Sequence, residues 1–145
     1  MHCDLVYLAD NAKLSMPFTQ LGLCPEFASS LLLQRLAGYH RAAEKLLLGE
    51  PFLAAEAVDM GMANKVLPAA ELLDYTAQQT AKLVALPGAS LRAAKRLMKS
   101  GEASLINKVM HDEIQQFGAM LSRPEAREAM MAFFQKRKPD FSQFS

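Results

Sequence analysis

The chain has 145 residues, of which 51% are hydrophobic and 21% are charged. This balance supplies a buried core and excludes an intrinsically disordered protein. Sixteen basic and fifteen acidic residues leave a net charge of +1, which gives no general electrostatic attraction to nucleic acid or to an anionic membrane. We therefore expect no nucleic-acid or membrane partner, and any anionic ligand has to be held by a local cluster of positive charge.

The two cysteines, Cys3 and Cys24, lack the spacing of a metal-binding motif and fit a reducing compartment better than a secreted protein. No apolar run reaches the roughly 20 residues that span a bilayer. The first residues also lack the basic region of a secretory signal. These features predict a soluble, cytoplasmic protein with no metal site.

The first 24 residues predict strands rather than helices. Residues 5–8 form a short apolar run that ends at a turn, and residues 13–16 alternate between polar and apolar side chains before Pro17. Residues 64–67 form either a further short strand or an extended link. Because a two-stranded unit is not stable alone, the first two strands require partners that the sequence does not make obvious.

From Pro25 onward the spacing of apolar residues is helical. The first predicted helix begins at Pro25, since proline suits the first helical position, and it ends at Gly38. A second helix covers residues 40–48, and a third, short one ends at Gly61. Two further helices are predicted over residues 72–86 and 91–99.

The last two helices carry the clearest signals. Residues 105–121 place a wide apolar stripe at 3.6-residue spacing. Ser122 and Glu125 have the spacing of a capping box, which predicts the start of the final helix. We expect that helix to end in the basic residues 136–138, just before Pro139, because cations are favourable at a helix C-terminus.

The composition also indicates that this chain packs against more protein. Nine methionines and eight phenylalanines accompany helix faces that are richly apolar. We expect oligomerisation, or contact with an N-terminal portion that precedes this sequence, rather than a self-sufficient monomer.

A single carboxylate, Glu26, is the strongest candidate for chemistry. The sequence has no phosphate-binding loop and no Ser/His/Asp signature. An acidic residue near a helix start is often only a favourable charge at the helix dipole. Placed among Phe18, Leu21, Leu23 and Phe27, however, a partly desolvated carboxylate becomes a stronger base. The residues alone leave both interpretations open.

A series of short motifs runs through nearly the whole chain. They are Cys3-Asp4, Ala9, Ala12, Pro17-Phe18, Leu21-Gly22, Pro25-Glu26 and Ser29-Ser30, followed by residues 47–50, 54–57, 61–66 and 133–139. In this order the motifs resemble the C-terminal half of the enoyl-CoA hydratase/isomerase (crotonase) family, and most closely its Δ3,Δ2-enoyl-CoA isomerase branch.

The resemblance implies an α+β fold that is mostly helical. Residues 1–67 would form the end of a ClpP/crotonase-like spiral core with its active-site helix, and residues 68–145 a C-terminal helical region that mediates oligomerisation. A homotrimer or hexamer is expected on the same basis.

The resemblance also implies a reaction. Hydratases of the family use two glutamates, one of which would fall upstream of Met1 and the other directly after Pro17, where this chain has Phe18. Isomerases of the family use one glutamate, which corresponds to Glu26. We therefore expect Glu26 to move a double bond of an enoyl-CoA thioester from Δ3 to Δ2, with no cofactor besides the coenzyme A of the substrate.

The substrate contacts implied by the resemblance are Phe18, Leu21, Leu23, Phe27, Phe133, Lys136 and Lys138. A basic last turn is also ordinary helix capping, so the last two assignments have a structural alternative. In the family, the two backbone donors that stabilise the oxyanion come from segments before Cys3, which this sequence does not contain. We therefore expect the chain alone to be almost inactive. The alternative function is a non-catalytic acyl-CoA-binding or scaffold module of the same fold.

Overall fold

Four short strands form two separate pairs in the computed structural model, which describes residues 1–144. Strand β1 (Tyr7–Ala9) runs parallel to β4 (Lys65–Leu67). Strand β2 (Lys13–Leu14) runs antiparallel to β3 (Phe52–Leu53). The first two strands thus find their partners within the chain. Residues 64–67, predicted as a strand or an extended link, supply β4, whereas β3 was not predicted because it is only two residues long and gives no periodic signal.

Within residues 1–144, seven α-helices account for most of the remaining chain. They are α1 (Ser29–Ala37), α2 (Tyr39–Ala43), α3 (Ala54–Asp59), α4 (Leu72–Val84), α5 (Gly88–Ser100), α6 (Ala103–Leu121) and α7 (Pro124–Phe134). A π-helical turn (Glu44–Leu48) continues α2, and single 3₁₀ turns occur at Thr19–Leu21, Ala69–Glu71 and Ser142–Phe144. The α+β, mostly helical architecture agrees with the sequence prediction. No helix within residues 1–144 combines the length and the apolarity needed to cross a bilayer.

The first helix begins later than predicted. Pro25 lies in a loop, and α1 starts only at Ser29. Phe27 and Ala28 adopt left-handed backbone conformations, with φ of 62° and 55°. These values turn the chain immediately before the helix, so the helical pattern of the sequence could not extend back to Pro25.

Both ends of α7 also differ from the prediction. Pro124 takes the first helical position and Arg123 is the N-cap, so Ser122 lies outside the helix and forms no capping box. The helix ends at Phe134, before the basic residues rather than within them. Lys136 adopts φ of 55°, and the amides of Lys136 and Arg137 donate to carbonyls of the last turn, which is the Schellman arrangement of helix ends.

Both clusters of buried apolar residues lie within the first 67 residues, and α7 contributes three further buried alanines. One cluster contains Leu33, Ala42 and Leu46, and a second contains Phe52, Ala57 and Met60. Ala37 and Met62 pack against both clusters and join them. By contrast, α4 and α5 have no buried residue, and the only one in α6 is Glu113. The division of the chain at residue 67 remains a prediction.

Large apolar side chains are exposed along the C-terminal helices. Leu73 and Val84 on α4 are 80% and 79% exposed, Met98 on α5 is 79% exposed, and Phe133 on α7 is 76% exposed. Isolated exposed apolar residues are ordinary, but several helices that share this property indicate a surface that is covered in the assembled protein.

We predict that the chain self-associates through α4–α7, as a trimer or hexamer. Light scattering over a range of concentrations should give a mass several times that of one chain. Leu97→Lys, on an apolar side chain that is 73% exposed, should weaken assembly. The control Gln78→Lys, at an exposed polar position of α4, should not. A folded monomer at tens of micromolar would contradict the prediction.

Glu128, a buried carboxylate on α7, holds the residues that follow that helix. The Arg137 guanidinium donates to both oxygens of Glu128, at 2.5 and 2.9 Å, and the Asp140 amide donates at 2.9 Å. Arg137, and then the Asp140 amide, lower the pKa of Glu128 from 4.5 to about 2. The residues after α7 are therefore tied back to that helix.

We predict that the contribution of Glu128 to stability disappears in acid. Its folded pKa is depressed, so the unfolded chain binds more protons as the pH falls from about 5 toward 2, and the stabilisation present at neutral pH is lost over that window. The difference in urea midpoint between wild type and Glu128→Gln should be largest at pH 7 and vanish near pH 2. The control Glu50→Gln, at an exposed position, should keep the wild-type pH dependence. A constant difference between wild type and Glu128→Gln would contradict the assignment.

Candidate active site

The loop before Glu26 is anchored by a single 3₁₀ turn, Thr19–Leu21, that ends at Gly22. Gly22 has φ of 66°, and a Cβ there would lie 2.8 Å from the backbone of Glu125. Only glycine permits both this conformation and the close approach of the start of α7. The loop and α7 are therefore fixed against each other.

The other side of the same turn is held by the π-helical segment. The Thr19 hydroxyl donates to the Leu47 carbonyl at 2.8 Å, and the Gln20 amide donates to the Leu48 carbonyl at 2.6 Å. These two carbonyls belong to the last turn of the segment, where helices leave acceptors without intrahelical partners. The two polar side chains thus satisfy the last carbonyls of the π-helix, and the same hydrogen bonds hold the loop in position.

Glu26 stands at the end of this loop, three residues before α1, and is half-buried. Its backbone carbonyl accepts a hydrogen bond from the Ser29 amide at 3.1 Å. Within residues 1–144, its carboxylate makes no hydrogen bond and no ion pair. The two left-handed residues that follow it, Phe27 and Ala28, are of types that rarely adopt such values, and such strain costs of order 1–3 kcal/mol per residue.

A buried glutamate from a distant helix stabilises this strained turn. Glu113 on α6 is 8% exposed and accepts hydrogen bonds from the Ala28 amide at 2.5 Å, from the Ser30 amide at 3.1 Å and from the Ser30 hydroxyl at 2.5 Å. Hydrogen bonds to a charged group contribute roughly 1.5–3 kcal/mol each, which offsets the cost of removing the carboxylate from water. Ala28 is the N-cap of α1 and has no side-chain acceptor, so Glu113 caps the helix in its place.

The sequence-based prediction missed Glu113. A local capping search covers only a few residues, whereas Glu113 and Ala28 are 85 residues apart. One signal was present: Glu113 lies three residues after Met110 and four before Phe117, on the apolar side of its helix. A carboxylate at such a position indicates a buried polar contact.

Cys24 lies close to both acidic side chains. Burial raises the pKa of its thiol, and the nearby charges of Glu113 and Glu26 raise it further. The sulfur also contacts the backbone carbonyl of Glu113 at 3.9 Å. The thiol is therefore protonated at neutral pH and is not an activated nucleophile.

An apolar groove runs between the loop and α7. One cavity of about 490 Å³ is lined by Leu21, Leu23, Leu121, Ala126, Arg127, Ala129, Met130, Phe133 and Phe134. A second, of similar volume, shares Leu21, Ala129 and Phe133 and continues to Arg137 and Lys138. Four of the predicted substrate contacts therefore lie along one surface: Leu21, Leu23, Phe133 and Lys138.

The other predicted site residues lie elsewhere. Phe18 packs against the buried cluster of Leu33, Ala42 and Leu46. Phe27 is 61% exposed and meets His2, whose ring is 5.4 Å away and whose Nε2 lies 2.7 Å from the Phe27 carbonyl oxygen. Glu26 and Lys136 are not among the described residues that line either part of the groove. Their roles stay predictions.

Comparison with known proteins gives one consistent family. The chain is 30% identical to the 2,3-dehydroadipyl-CoA hydratase of Escherichia coli over 139 residues, which are 96% of this chain and 54% of that protein. It is 32% identical to enoyl-CoA delta isomerase 2 of Rattus norvegicus over 136 residues, 94% of this chain and 34% of the relative. The chain therefore spans about half, or less, of the length of these relatives.

Comparison with solved structures gives the same family. The crystal structure of an enoyl-CoA hydratase/isomerase from Pseudoalteromonas atlantica T6c superposes with a TM-score of 0.92 at 33% identity, and the match covers 97% of this chain and 57% of that one. The sequence model of enoyl-CoA hydratase/isomerase matches residues 1–144. Because this match includes the Glu26 loop as well as every helix, the chain belongs to the enoyl-CoA hydratase/isomerase family.

Proposed function

We propose that the protein to which this chain belongs is an enoyl-CoA isomerase, with Glu26 as its single proton shuttle. The observation that carries the proposal is the environment of that carboxylate, namely its burial and its lack of partners among the described residues. It is half-buried on an anchored loop and makes no hydrogen bond or ion pair within residues 1–144. Both oxygens are therefore free to accept a proton, which is what a general base requires.

The proposed reaction needs one base and no added group. Glu26 removes a proton from C2, next to the thioester carbonyl of a 3-enoyl-CoA, and the electrons spread over a dienolate. The protonated Glu26 then returns the proton to C4, so that the double bond lies between C2 and C3. Substrate and product have the same atoms, and the carboxylate is regenerated.

The groove supports a substrate with an apolar chain and an anionic part. Its walls between Leu21, Leu23 and Phe133 are apolar, and its far end reaches Lys138. Glu128 engages the neighbouring Arg137, whereas the ammonium groups of Lys136 and Lys138 make no ion pair with any residue that the structure describes. In this proposal an acyl chain lies along the apolar walls, and Lys138 at the far end of the groove faces phosphates of coenzyme A.

Hydration of a 2-enoyl-CoA is the second candidate, favoured by the hydratase names of several relatives, the E. coli protein among them. Family hydratases use a further glutamate after the residue that matches Pro17, and this chain has Phe18 packed into the core there. A phenyl ring cannot transfer a proton, so the isomerase is the better supported of the two. The products distinguish them: a 3-hydroxyacyl-CoA for hydration, and a conjugated 2-enoyl-CoA for isomerisation.

We predict that residues 1–145 alone turn over 3-enoyl-CoA poorly. Loss of one oxyanion donor costs on the order of 100- to 1000-fold, and in the family both donors come from segments that this sequence does not contain. Formation of the conjugated 2-enoyl thioester can be followed by ultraviolet absorbance. Turnover of about 1 to 1000 per second would refute the prediction and require donors within this chain. Binding of acyl-CoA without turnover, even after the relative's N-terminal part is added, would instead favour the non-catalytic binding module.

We predict that Glu26→Gln abolishes most of the activity of an active assembly. A suitable assembly joins this chain to the N-terminal part of the P. atlantica relative. Glutamine keeps the shape of the side chain but cannot accept a proton at neutral pH. We expect kcat to fall roughly 100- to 10000-fold with little change in KM, since only the proton transfers are removed.

The same variant should lose deuterium exchange at C2 together with isomerisation. Glu50→Gln, an exposed charge change elsewhere on the chain, is the matched control and should retain wild-type kcat. Near-normal turnover by Glu26→Gln would exclude Glu26 as the base and leave it the role of a charge near the start of α1.

A further inference from the structure

We infer that Glu113 is a positioning residue for Glu26. Its buried carboxylate holds the left-handed turn at Phe27 and Ala28, and that turn sets where Glu26 stands. The inference rests on the proposed role of Glu26 as the base, and it extends that role to a residue from a different helix.

The first support is the division of the hydrogen bonds. One oxygen of Glu113 accepts from the Ala28 amide at 2.5 Å, and the other accepts from the amide and hydroxyl of Ser30. Because both oxygens are used, the carboxylate cannot rotate without breaking a bond. The three donors lie on either side of Ser29, the first residue of α1, so the start of the helix is fixed in orientation as well as in place.

The second support is the strain that this contact holds. Phe27 and Ala28 are consecutive, carry side chains and have positive φ. Such a pair relaxes unless the surroundings over-determine it. The Ala28 amide, which lies within the turn, is the group that donates to Glu113. Loss of this acceptor would therefore release the turn that directly follows Glu26.

The third support is that α6 contacts the loop on both sides of Glu26. Ahead of it, the Cys24 sulfur lies 3.9 Å from the backbone carbonyl of Glu113. After it, the Glu113 side chain holds Ala28. Glu26 is thus bracketed by one residue of α6, through the backbone on one side and the carboxylate on the other. A purely local capping residue would not produce this arrangement.

The structure also supplies a matched control. Arg35 in the last turn of α1 forms an ion pair with Glu102, the residue just before α6. This contact joins the same two parts of the chain at the opposite end of α1. Glu102→Gln therefore removes a glutamate between the same partners without touching the turn next to Glu26.

The primary test uses nuclear magnetic resonance on the 145-residue chain and needs no activity. In Glu113→Gln, amide hydrogen exchange at Ala28 and Ser30 should be about 10- to 100-fold faster, and the ¹³C resonance of the Glu26 carboxyl should move. Ser30→Ala, which removes one of the three donors, should give a smaller change of the same kind and is the milder variant if Glu113→Gln does not fold. Glu102→Gln should leave both signals unchanged. An unmoved Glu26 resonance in the presence of faster exchange would overturn the inference and leave Glu113 a purely structural role.

The second test applies the isomerase assay to the active assembly. A single base must reach both C2 and C4, so a displaced Glu26 should alter one transfer relative to the other. We expect kcat of Glu113→Gln to fall about 10- to 100-fold, and the ratio of C2 deuterium exchange to isomerisation to change. A partly unfolded sample would lower both rates together and keep the ratio. An unchanged ratio would contradict the inference. A wild-type assembly without isomerase activity would instead contradict the proposed function, and the resonance measurement would then decide whether Glu113 positions Glu26.

Discussion

The contact between the Glu113 carboxylate and the start of α1 joins the helical C-terminal part to the core. Among the nineteen residues of α6, Glu113 is the only buried one, and α4 and α5 have none. These helices are also attached by exposed ion pairs, Arg35 with Glu102 and Asp4 with Lys95 and Lys99, and by an edge-to-face contact of Tyr75 on α4 with Tyr7 on β1. Exposed ion pairs contribute little, with a median of about 0–1 kcal/mol. A buried carboxylate with three donors is therefore the main fixed point of α6 on this chain.

Helix α7 is attached in a different way, through small residues. Ala126, Ala129 and Ala132 are buried, and Gly22 allows the loop to approach the start of the helix closely. Small side chains at the contact leave the larger ones, such as Phe133, to form the walls of the groove. The groove is thus deep because only small side chains lie at the positions where the loop and the helix touch.

The sequence predicted the helices well where apolar periodicity was long, as in α4–α6. It also predicted β1, β2 and, as an alternative to an extended link, β4, but it missed the two-residue β3. It failed where a contact across the fold decides the local conformation. The start of α1 depends on Glu113, which is 85 residues from Ala28, so the helical signal at Pro25 was misleading. At α7, Pro124 occupies the first helical position, so Ser122 is not the N-cap. The final basic residues lie after the helix, where Arg137 forms an ion pair with Glu128. Glu26 was predicted as the candidate base, which stays a prediction, and no local pattern could indicate which residue holds its loop.

Three glutamates illustrate how environment separates structural from chemical roles. Glu113 and Glu128 each accept three hydrogen bonds, and these bonds hold the start of α1 and the residues after α7 in place. Glu26 has no such partner among residues 1–144, and its backbone is instead fixed by its neighbours. A base needs free oxygens and a fixed position, and one side chain cannot secure both through its own hydrogen bonds. In the proposed assignment, Glu113 secures the position of the loop, and the oxygens of Glu26 stay free to exchange a proton.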